Sequence, residues 1–306
     1  MTPEETTSYQ RMRLVSKGDY AEFVKSNDSI AIGKVDVRLI KEWNIEKFQP
    51  ENYSCEEYTV WSFPVRGSWA THSGDYRGNW TPFVPRNIIE RYTRAGDVVC
   101  DPMVGGGTTM VECKLTGRNG VGVDINPAAC MLTMNRLDFE WPGQNHRDQN
   151  IKIYNGDARN LNEIEDGSVD LVATHPPYCG IISYSGIPAD LSNLGLEDFV
   201  HEMSKVAKEC FRILKSDKYC GILIGDSRKH RHYVPIHIGI LNDFLDAGFI
   251  LSEDIIKLQH NTKSARERWG RRVDDFYKIA HEHLYVFRKP GKDEKTSELK
   301  YSKRWW

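Results

Sequence analysis

One stretch constrains this chain more than any other: Val98 to Asp124, VVCDPMVGGGTTMVECKLTGRNGVGVD. An apolar run, Val98-Val99-Cys100, ends in Asp101-Pro102. Three glycines (Gly105, Gly106, Gly107) and two threonines (Thr108, Thr109) follow. From Thr108 to Leu115 the spacing is helical, with Met110 and Val111 facing inward, and a second apolar run, Val121-Gly122-Val123, ends at Asp124. The order is therefore strand, tight glycine turn, helix, strand with an acidic end. Glycines let a backbone approach a ligand closely, and the start of a helix offers free N–H groups. An acid closing the second strand suits a pair of ribose hydroxyls. The unit is expected to bind a nucleoside-like cofactor; the other reading is a βαβ unit whose glycines only close the turn. The G-x-G-x-x-G spacing of dinucleotide sites is absent, and Thr108 follows Gly107 where a phosphate-binding loop needs lysine.

A second stretch, Val169 to Tyr178 (VDLVATHPPY), narrows the chemistry. The strand Leu171-Val172-Ala173 runs into Thr174-His175-Pro176-Pro177-Tyr178. Paired prolines fix the backbone and remove two N–H donors, so the carbonyls near them are held rigidly. Such a corner suits a flat ring, with a fixed carbonyl for an amino group and Tyr178 to stack on its face.

Taken together, the two stretches resemble the amino-methylating DNA methyltransferases that use S-adenosylmethionine. In that family the first motif reads Asp-Pro-Phe-x-Gly-x-Gly-Thr-Thr and the catalytic motif Asp/Asn/Ser-Pro-Pro-Tyr/Phe/Trp. The resemblance runs from about Trp61 to Lys289, with one departure: His175 stands where the family has Asp, Asn or Ser. It implies an α/β, Rossmann-like class I methyltransferase fold, a seven-stranded, mostly parallel sheet with an antiparallel last strand. It implies S-adenosyl-L-methionine as cofactor, held by Asp101, Pro102, Gly105, Gly107, Thr108, Thr109, Asp124, Asp157 and Trp80. It assigns catalysis to His175, Pro176, Pro177 and Tyr178.

The chain has 306 residues, 40% hydrophobic, with a formal net charge of −2. That length suits one large α/β domain or two small ones. Balanced charge means that any nucleic-acid surface must be a local patch. No run is long and apolar enough to span a membrane, and Met1 to Asp19 is too polar for a signal peptide. Seven cysteines without C-x-x-C spacing fit free thiols in a reducing cytosol and argue against a zinc site. Expected localisation is cytoplasmic or nucleoid-associated. The histidine pairs His230/His232 and His281/His283 are read as structural, with metal binding the weaker alternative.

Residues 1–60 are expected to form an extension or small accessory lobe, 61–290 the methyltransferase domain and 291–306 a loosely packed tail. Trp61 to Trp80, aromatic and glycine-rich, reads as a loop, placed by the resemblance over the methionine end of the cofactor. Helices are expected over Pro82–Tyr92, Pro127–Phe139, Leu196–Leu214 and Val234–Ala247, and strands over Ile151–Asp157, Tyr219–Gly225, Phe249–Leu258 and His283–Phe287. Asp157 ends its strand at the crevice where ligands bind in open sheets, and the resemblance gives it the adenine amino group.

Two basic segments follow strand ends on the rim of the catalytic corner. One is Asp226 to Tyr233, DSRKHRHY, with Arg228 and Lys229. The other carries Lys263, Arg266, Arg268, Arg271 and Arg272 around Trp269. Basic side chains neutralise phosphates, and an aromatic stacks on an unpaired base. DNA is the expected partner, although a charge run is also the common form of a solvated face. No Pro-Cys pair occurs, which argues against methylation at cytosine carbon 5. Thr174-His175-Pro-Pro-Tyr is closer to the Thr-Ser-Pro-Pro-Tyr form associated with N4-cytosine than to Asp-Pro-Pro-Tyr. N4 of cytosine is the expected target; N6 of adenine, an RNA amine, and a non-catalytic binding subunit are the alternatives. A neutral His175 is expected to accept from the target amine, with a pKa near 6.5 if unperturbed.

Overall fold

The computed structural model describes residues 9–76, 78–141, 149–177, 184–260 and 276–303. In chain order the elements are β1 (Arg13–Leu14), α1 (Lys17–Ser26), β2 (Ser29–Ile32), β3 (Val35–Arg38), β4 (Val60–Ser62) and α2 (Phe83–Tyr92). Then come β5 (Val98–Asp101), α3 (Thr108–Thr116), β6 (Asn119–Asp124), α4 (Pro127–Leu137), β7 (Ile151–Asn155) and β8 (Val169–Thr174). The last group is α5 (Leu196–Ile213), β9 (Leu214–Ile224), β10 (Ser227–Lys229), β11 (His232–Val234), α6 (Ile236–Asp246), β12 (Ile250–Leu258) and β13 (His281–Arg288).

The main sheet has the order β1-β7-β6-β5-β8-β9-β13-β12-β4. Strands β5 to β9 pair in parallel, and β13 runs antiparallel to both β9 and β12. From β7 across to β12 this is the seven-stranded, Rossmann-like class I methyltransferase sheet with its antiparallel last strand. Two short strands extend it: β1 joins β7 antiparallel, and β4 joins β12 in parallel. Both edge strands come from the first 62 residues, and α1 packs on α4. That N-terminal stretch thus contributes strands to the sheet, while β2 and β3 form their own hairpin.

Central parallel strands are buried on both faces and read as continuous apolar runs. β8 is buried along its whole length. On one face α5 and α6 pack, and α5 buries Phe199, Met203, Val206, Ala207, Cys210 and Ile213, positions that form one stripe along the helix. Each large apolar side chain so buried contributes roughly 1.5–3 kcal/mol. On the other face lie α2, α3 and α4, with Val84, Ile88, Ile89, Met110 and Cys130 against Val99, Leu171 and Leu223.

Asp226–Tyr233 is not a loop. β10 and β11 pair antiparallel, Ser227 with Val234 and Lys229 with His232. The two turn residues, His230 (φ 51°) and Arg231 (φ 71°), are both left-handed, as a two-residue hairpin demands. Glycine or asparagine usually fills those places, so the sequence carries no hairpin signal there. The tail beyond β13 turns into a short 3-10 segment at Thr296–Ser302.

Candidate active site

The carboxyl ends of β5, β6, β7 and β8 open into a cleft with about 750 Å³ of free space, solvent at its mouth included. Its lining includes Trp80, Asp101, Pro102, Gly105, Asp124, Asp157, His175, Pro176 and Pro177. Four strand ends and the segment before α2 therefore bring these expected residues around one space. Ligands in open α/β sheets bind at this end.

Asp124 is held by two backbone N–H groups. Its Oδ2 accepts from the Gly105 N–H at 2.9 Å and its Oδ1 from the Asn126 N–H at 2.9 Å. Burial pushes its carboxyl up to about 7, although these two hydrogen bonds pull the other way. Asp101 is buried too. Its Oδ1 accepts from the Thr174 hydroxyl at 2.9 Å, and the Thr109 hydroxyl donates to Oδ2. Burial raises that carboxyl to about 6. Asp157 also lines the cavity, with its carboxylate gripped by Arg159: Nε to Oδ1 at 2.8 Å and Nη2 to Oδ2 at 2.6 Å. Arg159 is shared with Glu202 at 2.6 Å. The site thus gathers acids, a setting that suits a cationic ligand.

Gly105 lines the cavity, whereas Gly107, Thr108 and Thr109 stand behind its wall. Gly107 (φ +81°) has another reason to be glycine: a Cβ there would lie 2.9 Å from Cγ2 of Thr133. Thr108 and Thr109 are buried, and Thr109 serves the cavity through Asp101. A Cβ on Gly105 (φ +52°) would press on the Tyr76 ring at 3.2 Å.

The expected loop, Trp61 to Trp80, forms the roof and supplies Tyr76, Gly78, Asn79 and Trp80 to the lining. Glu112 on α3 anchors it. That fully buried carboxylate accepts from Trp69 Nε1 at 2.7 Å and from Arg86 at 3.0 Å, and lies 2.6 Å from His72 Nε2. Arg136 on α4 fixes the glycine turn by donating to the Gly106 carbonyl at 2.7 Å, and it also pairs with Asp75. Tyr76 stacks on Tyr184, with centroids 5.7 Å apart and planes 10° apart. Asp190, which also lines the cavity, accepts from the Ser185 hydroxyl at 2.6 Å. Nothing in the sequence singles out Tyr76, Asn79 or Asp190, and Tyr184 stands out there only as an aromatic in a long loop.

His175 lies in the wall rather than standing in the open. Its ring stacks on Trp80 with centroids 5.9 Å apart and planes 26° apart. Its Nε2 is 3.9 Å from Glu282 Oε1, and the Gly78 backbone also hydrogen-bonds the ring. Glu282 is itself tied to Lys257 at 2.7 Å. Burial pushes the imidazole down to about 4, against the pull of Glu282. The unperturbed value near 6.5 therefore does not apply: at neutral pH the ring carries no charge. Tyr178 lies outside the described residues, as do Lys263, Arg266, Arg268, Trp269, Arg271 and Arg272. Lys229 is exposed on the hairpin. Arg228 packs instead against its own protein, 4.5 Å over the Phe276 ring and donating to the Tyr277 carbonyl at 2.6 Å.

The sequence profile of the N6/N4 DNA methylase family matches residues 8–135 and 169–305. Among individual relatives, the type II methyltransferase M.MjaII of Methanocaldococcus jannaschii is 36% identical over 62 residues, 20% of this chain and 12% of that protein. The type II methyltransferase M.HpaI of Haemophilus parainfluenzae is 39% identical over 72 residues, 22% of this chain and 23% of that protein. The match thus spans less than a quarter of the length of either. A solved S-adenosylmethionine-dependent methyltransferase from Methanosarcina mazei covers 67% of this chain and 98% of its own, at 16% identity and a TM-score of 0.47.

Proposed function

This chain belongs to the N6/N4 DNA methylase family, and from that premise we propose that it transfers a methyl group from S-adenosylmethionine to the exocyclic amine of a flipped-out DNA base, N4 of cytosine. The observation that carries the proposal is the single cavity shared by Asp101, Asp124 and the His175-Pro176-Pro177 corner. The bound cofactor supplies a sulfonium methyl, an electrophile that needs neither a metal nor a covalent enzyme adduct.

Asp124 is set to take the ribose hydroxyls, because each of its oxygens keeps a lone pair beyond the backbone N–H it already accepts. Asp157, oriented by Arg159, is assigned the adenine end. Trp80 closes the methionine side. Asp101 holds the shape of the turn through Thr109 and Thr174.

The target amine is a poor nucleophile, since its lone pair is delocalised into the ring. Acceptors fixed around its N–H groups favour the localised lone pair of the transition state. The carbonyls of the Pro176-Pro177 corner are such acceptors. His175, neutral because it is buried, puts no positive charge beside a cationic cofactor. A base cannot be reached inside a duplex, so it is turned out into the cavity. The assignment to cytosine rests on Thr174-His175-Pro176-Pro177-Tyr178 and its likeness to the N4-cytosine form of the motif.

The test is methyl transfer from labelled cofactor to duplex DNA, single-stranded DNA and RNA, followed by nucleoside analysis. Label in N4-methylcytosine from DNA is the expected result. Label in N6-methyladenine moves the target to adenine, and label confined to RNA overturns the DNA assignment.

A further inference from the structure

Across β13 from Glu282, a second group of chemically capable side chains comes together. Asp226 follows β9, His237 lies in the first turn of α6, and His283 sits on β13, one residue past Glu282 and so on the opposite face of the strand. One ligand-type atom from each of the three lies within 4.8 Å of the others. The side chains of Asp226, His237 and His283 are 1%, 15% and 12% exposed.

The contacts around this group give it the character of a metal site. Nδ1 of His237 lies 2.6 Å from Asp226 Oδ2, yet too far off line to be an aligned hydrogen bond. The other Asp226 oxygen, Oδ1, accepts from the His237 backbone N–H at 3.0 Å, which fixes the carboxylate; the Tyr233 hydroxyl donates to Oδ2. Nδ1 of His283 lies 3.0 Å from Asp254 Oδ1. A carboxylate on Nδ1 sets the tautomer and leaves Nε2 with the lone pair, the outer-sphere partner that metal-bound histidines commonly have. The two imidazoles stack 4.1 Å apart at 6°.

We propose that Asp226, His237 and His283 bind a divalent transition-metal ion of the zinc type. Two neutral imidazoles and one carboxylate suit zinc, whereas magnesium and calcium favour all-oxygen sites. Ligands about 2.1 Å from a tetrahedral ion stand about 3.4 Å apart, so closing the site takes side-chain shifts on the order of 1 Å and a turn of one imidazole out of the stack, which brings both ring lone pairs onto the ion. Solvent completes the coordination.

The placement gives the ion a task. Asp226 immediately precedes β10, His237 follows β11 after two residues, and His283 belongs to the main sheet. A metal there clamps both ends of the hairpin to the sheet and fixes the root from which Lys229, His230, Arg231 and His232 project. The link to DNA rests on the function proposed above; the metal site itself does not.

The test uses full-length protein stripped with a chelator and titrated with Zn²⁺ and, separately, Co²⁺. Stoichiometry is read by competition with a chromophoric chelator, ligand type by the Co²⁺ visible spectrum, and stability by thermal melting. Wild type should bind one equivalent without thiolate charge-transfer absorption, and its Tm should rise on binding. H237N and H283N should each lose that equivalent, and D254N should bind roughly 10- to 100-fold more weakly, the usual effect of removing an outer-sphere partner. Should the histidine variants fail to fold, D254N and the metal-dependent Tm of wild type decide. No bound equivalent, thiolate absorption, or a stoichiometry unchanged in folded H237N and H283N overturns the site. None of these readouts involves DNA or methyl transfer, so the metal site and the proposed activity can fail separately.

Discussion

The two walls of the cavity are built differently. On the wall proposed for the cofactor, Asp124 ends a strand and is fixed by backbone N–H groups from its own βαβ unit and the residues just after it. Both N–H groups that hold its carboxylate, those of Gly105 and Asn126, lie within or just beyond that unit. On the wall proposed for the target base, His175 follows directly on the end of β8, but its surroundings come from far along the chain: Trp80 from the roof, Glu282 from β13, and Lys257 behind Glu282. The first wall is a local motif and the second a meeting of distant segments. The cofactor half is therefore expected to work as a self-contained binding site. The target half is expected to govern rate without changing cofactor affinity.

The sharpest way to break this division is at His175. H175A should lower turnover by roughly ten- to a thousand-fold while cofactor affinity stays within about twofold, the pattern of a group that acts mainly in the transition state. Calorimetry together with steady-state rates checks it; a matching fall in affinity would merge the two walls. Next in size, D124A should weaken cofactor binding by roughly 1.5–3 kcal/mol, the scale of a charge-assisted hydrogen bond. Unchanged affinity in folded protein would remove Asp124 from the site.

The walls should also answer differently to pH. Burial raises the Asp124 carboxyl to about 7, so about half of it is protonated at neutrality before the cofactor binds. The ionised form is the better partner for hydroxyls and for a cation. Cofactor affinity should therefore improve about tenfold from pH 6 to pH 8, then level off. Asp124→Asn should flatten that rise; a slope retained in Asp124→Asn assigns it to another group. His175 is displaced in the opposite direction, to about 4. The single-turnover profiles of wild type and His175→Asn should then run parallel between pH 5.5 and 8. A fall below pH 6.5 seen in wild type alone would show that the ring titrates near its ordinary value. A buried neutral imidazole also makes stability pH-dependent, because the unfolded chain takes up the proton first. The penalty is absent above the unfolded-state value near 6.5 and grows as pH falls toward 4. The smallest effect concerns the rim. Alanine at Arg268, Arg271 and Arg272 should reduce the salt slope of duplex binding by up to about 0.9 for each phosphate no longer neutralised, and Lys229→Ala by no more than one such step. An unchanged slope makes these segments a solvated face.

How much of the molecule is legible in the sequence follows the same division. β5 and β6 are short runs that end in Asp101 and Asp124, so these two acids can be placed from the strand pattern, whereas β7 stops at Asn155 and Asp157, two residues on, is pointed to only by the family resemblance. Periodicity reports the face of a residue's own element and is silent on what crosses from elsewhere. The hold of Glu202 on Arg159, the stacking of Tyr76 on Tyr184, and the Glu282–Lys257 pair behind His175 are invisible for that reason. The lowered pKa of His175 is hidden with them, because burial by a roof segment is a tertiary fact. β1 and β4 are two and three residues long, too short for alternation to show, and their pairing is set by the strands they join. The hairpin at 227–234 escapes because its turn uses histidine and arginine in left-handed conformations.

The most direct test of the division is a single-turnover methyl-transfer rate for D124A and H175A on duplex DNA as the cofactor concentration is raised to saturation. D124A should recover to near the wild-type rate once its weakened site is filled, while H175A should stay roughly ten- to a thousand-fold slow at every concentration. A D124A rate that remains as low as that of H175A at saturation, or an H175A rate equal to wild type, would contradict the account.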